Sequence, residues 1–379
     1  MYICSKETIM EQKQPDKKAQ LTRRQFVRDG AAAAAGLAVG VNAAGAEVGT
    51  TDVTKARSYN PQMKYRLLGK TGLWISQVCL GGHWKRVDVM APSAFQGGDW
   101  LGANLQDEGF AKNRHDVVSR CIERGINYID ACTKQEVLAY AEALRGRRDK
   151  MHLGFSWYQE EMRNENFRTT DKLLGTLDKG MREAKLDYVD LWRITMHEQS
   201  GRHTEGEVAE MMGALDKARK QGKARLTGFS SHDRNHIKWM IETYPDIVQV
   251  VVTPYTAKSK LVEDETGLWA TMKKCGVGWF GIKPFSGTSL FKGDSSPDSP
   301  TAEEDDKLAQ LAIRYIICND AITAPIPGLI NQRQVDNVAD AAIQGPLDKE
   351  EAKELGEAMD HAWASLGADY QWLKNWEYV

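Results

Sequence analysis

The sequence predicts an α/β chain folded as a (β/α)8 TIM barrel, with an N-terminal β-hairpin before the repeat and a C-terminal helix and tail after it. Three observations carry that expectation. Eight short apolar segments alternate with amphipathic stretches of helical period from Cys79 onward, the pattern of a parallel sheet with helices on its outer face. No Gly-x-Gly-x-x-Gly opens a helix after the first strand, as a doubly wound sheet, the alternative fold, would require to hold a dinucleotide. The second strand, residues 126–129 of GINYID, stops at the carboxylate of Asp130 and gives way to polar ACTKQ. Catalytic groups of such barrels come from the C-terminal ends of different strands.

In chain order, residues 1–46 stand apart from the fold. TRRQFVR at residues 22–28 is a twin-arginine pattern, GAAAAAGLAVGV follows, and Ala44, Gly45 and Ala46 supply a small-residue cleavage site. We read 1–46 as a twin-arginine signal peptide, 47–62 as a linker and 63–379 as the barrel. This predicts a periplasmic protein carried by the twin-arginine export machinery, with an uncleaved, membrane-anchored form as the alternative. The apolar run is too short and too Gly/Ala-rich to match the roughly 20 residues of a bilayer span, and no stable span is expected after cleavage. Without residues 1–46 the chain carries 43 basic and 48 acidic side chains, so its charge gives no reason to expect a nucleic-acid partner. The remaining cysteines, Cys79, Cys121, Cys132, Cys275 and Cys318, are odd in number and lack any Cys-x-x-Cys spacing, which argues against a disulfide framework or a metal cluster.

YRLLGKTGLWIS reads as a hairpin about the GKTG turn, and the following apolar strand ends at Gly81 and Gly82. A polar, Gly-rich loop of about thirty residues comes next, longer than ordinary connections and so expected to serve function; it carries His83, Trp84 and Trp100. Helices are expected near 116–124, 136–144, 170–183, 206–221 and 350–366. The later strands are MHLGFS, DYVDLWRITMH, ARLTGFS, IVQVVVT, GVGWFGIKP and AITAPIPG.

Taken together, YRLLGKTGL, CLGG, GINYID, ALRGRRDK, LDYVDLW, QGKARLTGFSSH, GIKPFSG and IPGLINQRQVDN resemble the aldo/keto reductase superfamily in order and spacing. The resemblance implies a barrel that binds NADP or NAD in extended form across its C-terminal face and interconverts an alcohol and a carbonyl by hydride transfer. It also implies a catalytic Asp, Tyr, Lys and His, of which only Asp130 matches. The loop after Asp130 is short and lacks Tyr, MHLGFS ends in Phe155 and Ser156 instead of Thr-Lys, and Thr195 stands where the His belongs. Two residues offer themselves as substitutes. His197 shares a strand face with Thr195 at a spacing of two, and Lys134 follows Asp130 on the shortened loop, so Asp130, Lys134 and His197 are the expected acid/base set.

For the cofactor, the resemblance assigns Ser230 and Gln249 to the nicotinamide carboxamide, with Ser231 in place of the usual Asn. Ile282 replaces the stacking Tyr, while Lys283 and Pro284 fit a known variant. Residues 328–337 resemble the adenosine-phosphate loop, with Gly328 at a 2′-phosphate position and Gln334 and Asn337 at adenine positions; NADP against NAD stays open. Trp84, Trp100, Trp157, Trp372 and Trp376 offer flat faces to a sugar substrate. Export of a folded, loaded protein implies a tightly held cofactor, with the hydride returned within one turnover. A pseudoenzyme or ligand-binding barrel without redox activity, and a cofactor-free hydrolase or isomerase using Asp130 and His197, are the competing readings.

Overall fold

The computed structural model describes residues 52–82, 86–95, 102–259 and 267–374. The expected signal peptide, His83, Trp84, Trp100 and Trp376 lie outside these. A two-stranded antiparallel hairpin comes first, β1 (Tyr65–Leu67) and β2 (Trp74–Ser76). Its turn puts Gly69 and Gly72 at φ of 53° and 77°, a region that side-chain-bearing residues rarely enter.

Eight parallel strands then follow in sequential order: β3 (Leu80–Gly81), β4 (Tyr128–Ala131), β5 (His152–Phe155), β6 (Val189–Thr195), β7 (Ala224–Ser230), β8 (Val250–Pro254), β9 (Gly278–Ile282) and β10 (Ala324–Pro325). A parallel bridge between Gly81 and Gly328, with Cys79 N–H donating to Pro325 O at 3.0 Å and Gly81 N–H to Pro327 O at 2.7 Å, joins the last strand to the first. The expected (β/α)8 barrel is therefore closed.

Strand alternation sorts the core into two shells. Tyr128, Leu191, Val250, Phe280 and Ala324 point inward, Tyr128 and Phe280 stacking at 4.3 Å, and Leu68 and Ile75 of the hairpin cap them from below. Ile129, Leu153, Trp192, Phe229, Val251 and Trp279 point outward into the helix layer. That layer comprises α1 (Glu108–Glu123), α2 (Lys134–Ala143), α3 (Thr170–Ala184), α4 (Glu205–Lys220), α5 (Arg234–Thr243), α6 (Leu268–Cys275), α7 (Ala302–Ile317), α8 (Gln332–Ile343) and α9 (Lys349–Ala364). The helix expected from residue 116 begins at Glu108, because the Asp107 side chain caps it by accepting from Phe110 N–H.

Segment 52–62, expected as linker, is fastened to the barrel: Arg57 donates to Met151 O at 2.9 Å and Ser58 to Lys150 O at 2.8 Å.

Only three residues separate Asp130 from the start of helix α2 at Lys134. Thr133 and Glu136 form a capping box, and Glu136 Oε2 also accepts from Cys132 N–H at 2.7 Å. Thr133→Ala is expected to cost about 1 kcal/mol of unfolding free energy, measured by urea denaturation, since it leaves a helix-terminal N–H without its acceptor.

Candidate active site

Asp130 lies one residue before the end of β4, at the barrel mouth, and its carboxylate is buried. The partner the structure gives it is Arg193, from the inward face of β6. Nε donates to Oδ1 at 2.9 Å and an η nitrogen to Oδ2 at 2.5 Å, while Tyr128 Oη donates to Oδ1 at 3.2 Å. This is the two-pronged geometry that a planar guanidinium favours. Burial opposes the charge on Arg193, but Asp130 outweighs it and the guanidinium is held protonated more firmly than usual. Gly154 makes room for the pair: a Cβ there would stand 2.2 Å from Tyr128 Oη and 3.0 Å from Asp130 Oδ1.

The other η nitrogen of Arg193 donates to Thr195 Oγ1 at 2.9 Å. Thr195 Oγ1 lies 2.8 Å from Ser156 Oγ, which lies 2.5 Å from Glu161 Oε2. Glu161 is fully buried and accepts further from Thr195 N–H at 2.8 Å and Trp157 N–H at 3.1 Å. Its pKa is raised by burial, which these donors and Arg193 only partly oppose.

A cavity of about 390 Å³ opens above this floor, within the usual range for small-molecule sites. Asp130, Arg193, Thr195, Ser230 and His232 line it at the strand ends; Gly328, Asn331, Gln334 and Asn337 line it at the start of α8. Lys283, also at the wall, adopts φ of 62°, and its ammonium lies 5.5 Å from the Tyr370 ring. His232 is buried, stacks on Trp372 at 4.4 Å, and leaves Nδ1 without a hydrogen-bond partner among the described residues. Burial, Lys283 and Arg163 hold its pKa well below the ordinary imidazole value, so it faces the cavity neutral.

Several expected site residues lie elsewhere. Lys134 does not join Asp130: as the first residue of α2 it points outward, pairing with Glu183 of α3 at 2.7 Å. His197 lies past the end of β6, outside the cavity lining, with Arg168 at 3.4 Å and the His203 ring at 5.3 Å; burial and Arg168 lower its pKa. Ser231 turns away to Ser200 Oγ at 2.7 Å. Gln249 immediately precedes β8, accepts from Thr227 N–H at 3.2 Å and is not among the residues lining the cavity. Trp157 is a core residue packed on Phe155, with Lys134 5.4 Å from its ring, and not a face for a sugar. Gln334 and Asn337 line the cavity, but their amides also bind protein: Gln334 Oε1 accepts from Ile330 N–H at 3.0 Å and Asn337 Nδ2 donates to Asp306 O at 2.8 Å. Arg333 pairs with Asp306 at 2.7 Å.

Sequence reasoning missed Arg193, Glu161 and His232. Arg193 had a signal, since a charged residue two before Thr195 shares its inward face.

A closed (β/α)8 barrel with a charged cavity at its strand ends defines the class. Within it, a sequence model of the aldo/keto reductase family matches residues 100–360, and the chain belongs to that family. It is similar to the L-galactose dehydrogenase of Arabidopsis thaliana, 22% identical over 301 residues that span 73% of this chain and 88% of the plant protein. Among solved structures it resembles the holo form of the aldo-keto reductase AKR11C1 from Bacillus halodurans, with TM-score 0.55, 19% identity, and coverage of 78% of this chain and 96% of that one. The apo form of the same protein gives a TM-score of 0.53 at the same identity and coverage. At these identities the two structures speak for the fold.

Proposed function

We propose that this chain is an oxidoreductase that interconverts an alcohol and a carbonyl on a small polyhydroxylated substrate, with NADP or NAD held across the barrel mouth. The observation that carries this is the single cavity joining the buried Asp130–Arg193 pair to the first turn of α8. The donor set fits a dinucleotide. Ser230 and His232, both at the cavity wall, suit a carboxamide at one end, and the N-terminal turn of α8, with Asn331 and Gly328, suits phosphate at the other. When bound, the dinucleotide supplies the hydride donor or acceptor. The chain's own task is to bind the substrate oxygen beside Thr195 and Arg193 and to keep the reacting carbon out of bulk water. Similarity to a dehydrogenase of a sugar supports a carbohydrate substrate, and the twin-arginine pattern supports export with the cofactor already seated.

Denaturing the purified full chain and identifying released small molecules by mass spectrometry tests the reading. Near-stoichiometric NADP or NAD is the expected result and would identify the cofactor form. Protein that is empty and also fails to bind either dinucleotide on titration would overturn it.

A further inference from the structure

We propose that the substrate's proton travels along Thr195 Oγ1, Ser156 Oγ and the Glu161 carboxyl, with Thr195 touching the substrate and Glu161 as the terminal carrier; this rests on the oxidoreductase reading above. The chain stands in for the phenol that the shortened loop after Asp130 cannot supply.

The geometry meets each requirement of a relay. Thr195 lines the cavity, whereas Ser156 and Glu161 are fully buried behind it. The consecutive oxygens are 2.8 and 2.5 Å apart, hydrogen-bond distances for hydroxyl and carboxyl groups. Donor bookkeeping gives two states differing by one proton. With Glu161 ionised, Ser156 donates to it, Thr195 donates to Ser156, and Thr195 keeps one lone pair on Arg193 and another for the substrate O–H. With Glu161 neutral, the carboxyl donates to Ser156, Ser156 to Thr195, and the Thr195 proton points at the substrate oxygen. The shift of one proton along each of these hydrogen bonds converts one pattern into the other and leaves no O–H unpaired in either.

In the oxidising direction the substrate O–H proton passes to Thr195 as the Thr195 proton passes to Ser156 and the Ser156 proton to Glu161. An oxidised dinucleotide, when bound, would supply the acceptor for the substrate's C–H hydrogen and its electron pair as hydride, so that the C–O bond becomes a carbonyl. Reduction reverses each transfer. Among the described residues the charged group acting on Glu161 is Arg193, already matched by Asp130, and Trp192 Nε1 and the backbone N–H groups of Trp157 and Thr195 also donate to it. Burial lifts the carboxyl above the ordinary 4.5, toward the range where a proton carrier works in both directions. Reduction needs Glu161 neutral and slows as pH rises through its folded pKa; oxidation needs it ionised and speeds up over the same interval.

Tyr158 and Tyr370 also line the cavity and offer rival phenols, so the test includes them. Infrared difference spectra of the full chain over a pH titration need no substrate. The expected result is a buried carboxyl C=O band that titrates above the ordinary glutamate range and is lost in Glu161→Gln. In Thr195→Val and in Ser156→Ala its hydrogen–deuterium shift slows at least about ten-fold, because the cavity reaches Glu161 through those hydroxyls, whereas Thr195→Ser keeps the wild-type rate. Once a turnover assay exists, Thr195→Val should lose about 10²–10⁴-fold in kcat, while Tyr158→Phe and Tyr370→Phe lose little. A band that does not titrate, an exchange rate unchanged in Thr195→Val, or loss of turnover in a Tyr variant alone would overturn the relay. Tryptophan fluorescence titration of the same wild-type samples with NAD and NADP separates the two readings. Failure to bind either removes the oxidoreductase and with it the relay's role; binding with unaltered exchange removes the relay alone.

Discussion

Asp130→Asn is expected to abolish turnover and to destabilise the fold by about 3–5 kcal/mol, the cost of breaking a buried ion pair from one side. The carboxylate occupies both prongs of the Arg193 guanidinium. An amide can accept at one prong but turns an NH2 group toward the η nitrogen at the other, so a donor meets a donor and a full positive charge is left buried without its match. The loss reaches the chemistry through Arg193, because the same guanidinium fixes Thr195 Oγ1 at 2.9 Å. Arg193→Lys keeps the charge but not the fork, and should recover part of the stability and little of the activity. The double variant Asp130→Asn/Arg193→Met removes both charges and should unfold nearer the wild-type urea midpoint while remaining inactive. Urea denaturation followed by a turnover or dinucleotide-binding assay reads both quantities. An Asp130→Asn protein with wild-type midpoint and activity would remove the pair from both roles.

The barrel was legible because its signal is repeated: each strand is a short apolar run between helical periods, and an error at one boundary leaves the others intact. Asp130 was legible for the same reason, being the residue at which an apolar strand meets a charge. The remaining acid/base set was not, and the causes are local. The step of two that linked Thr195 to His197 holds only while the strand continues, and β6 stops at Thr195, so His197 belongs to a loop whose direction the alternation does not fix. Applied backwards, within the strand, the same rule reaches Arg193. Lys134 was misplaced because ACTKQ was read as loop, although Thr133-x-x-Glu136 is a helix-start signature that makes Lys134 the first helical residue. Gln249 was carried over by motif position, and the structure puts it just before β8, outside the cavity lining. Glu161 lies beyond the end of β5, where no periodicity points; only its distance to Ser156 and Thr195 in space gives it meaning.

Asp190 makes the sharpest contrast with Asp130, since it should govern stability and not chemistry. It sits near the start of β6, at the barrel end remote from the cavity, fully enclosed, with Arg148 at 2.5 Å, Arg57 at 3.1 Å and His152 at 3.4 Å, and it accepts from Leu153 N–H at 2.9 Å. The Arg148 and Arg225 guanidinium carbons lie 4.9 and 4.2 Å from the Tyr188 ring, which holds the cluster in place. Burial pushes its carboxyl pKa up, but Arg148, His152 and Arg57 outweigh that, and the folded-state pKa falls well below the ordinary 3.8. A depressed carboxyl pKa means that the unfolded chain takes up the proton first on acidification. The stabilisation is therefore complete above the unfolded value and drains away as the pH falls below it toward the depressed folded value. Asp190→Ala, which strands several cationic groups around an empty space, is expected to cost about 3–5 kcal/mol at neutral pH. It should also flatten the acid limb of the stability curve, because the variant has no such carboxyl left to protonate. Dinucleotide binding below the variant's melting temperature should stay within two-fold of wild type, as roughly 0.4 kcal/mol at most would cross the barrel from that end. Thermal unfolding of both proteins across the acid range decides the matter: parallel acid limbs would show that the acid sensitivity arises from other carboxylates, and a large drop in dinucleotide affinity would show that the two ends of the barrel are coupled.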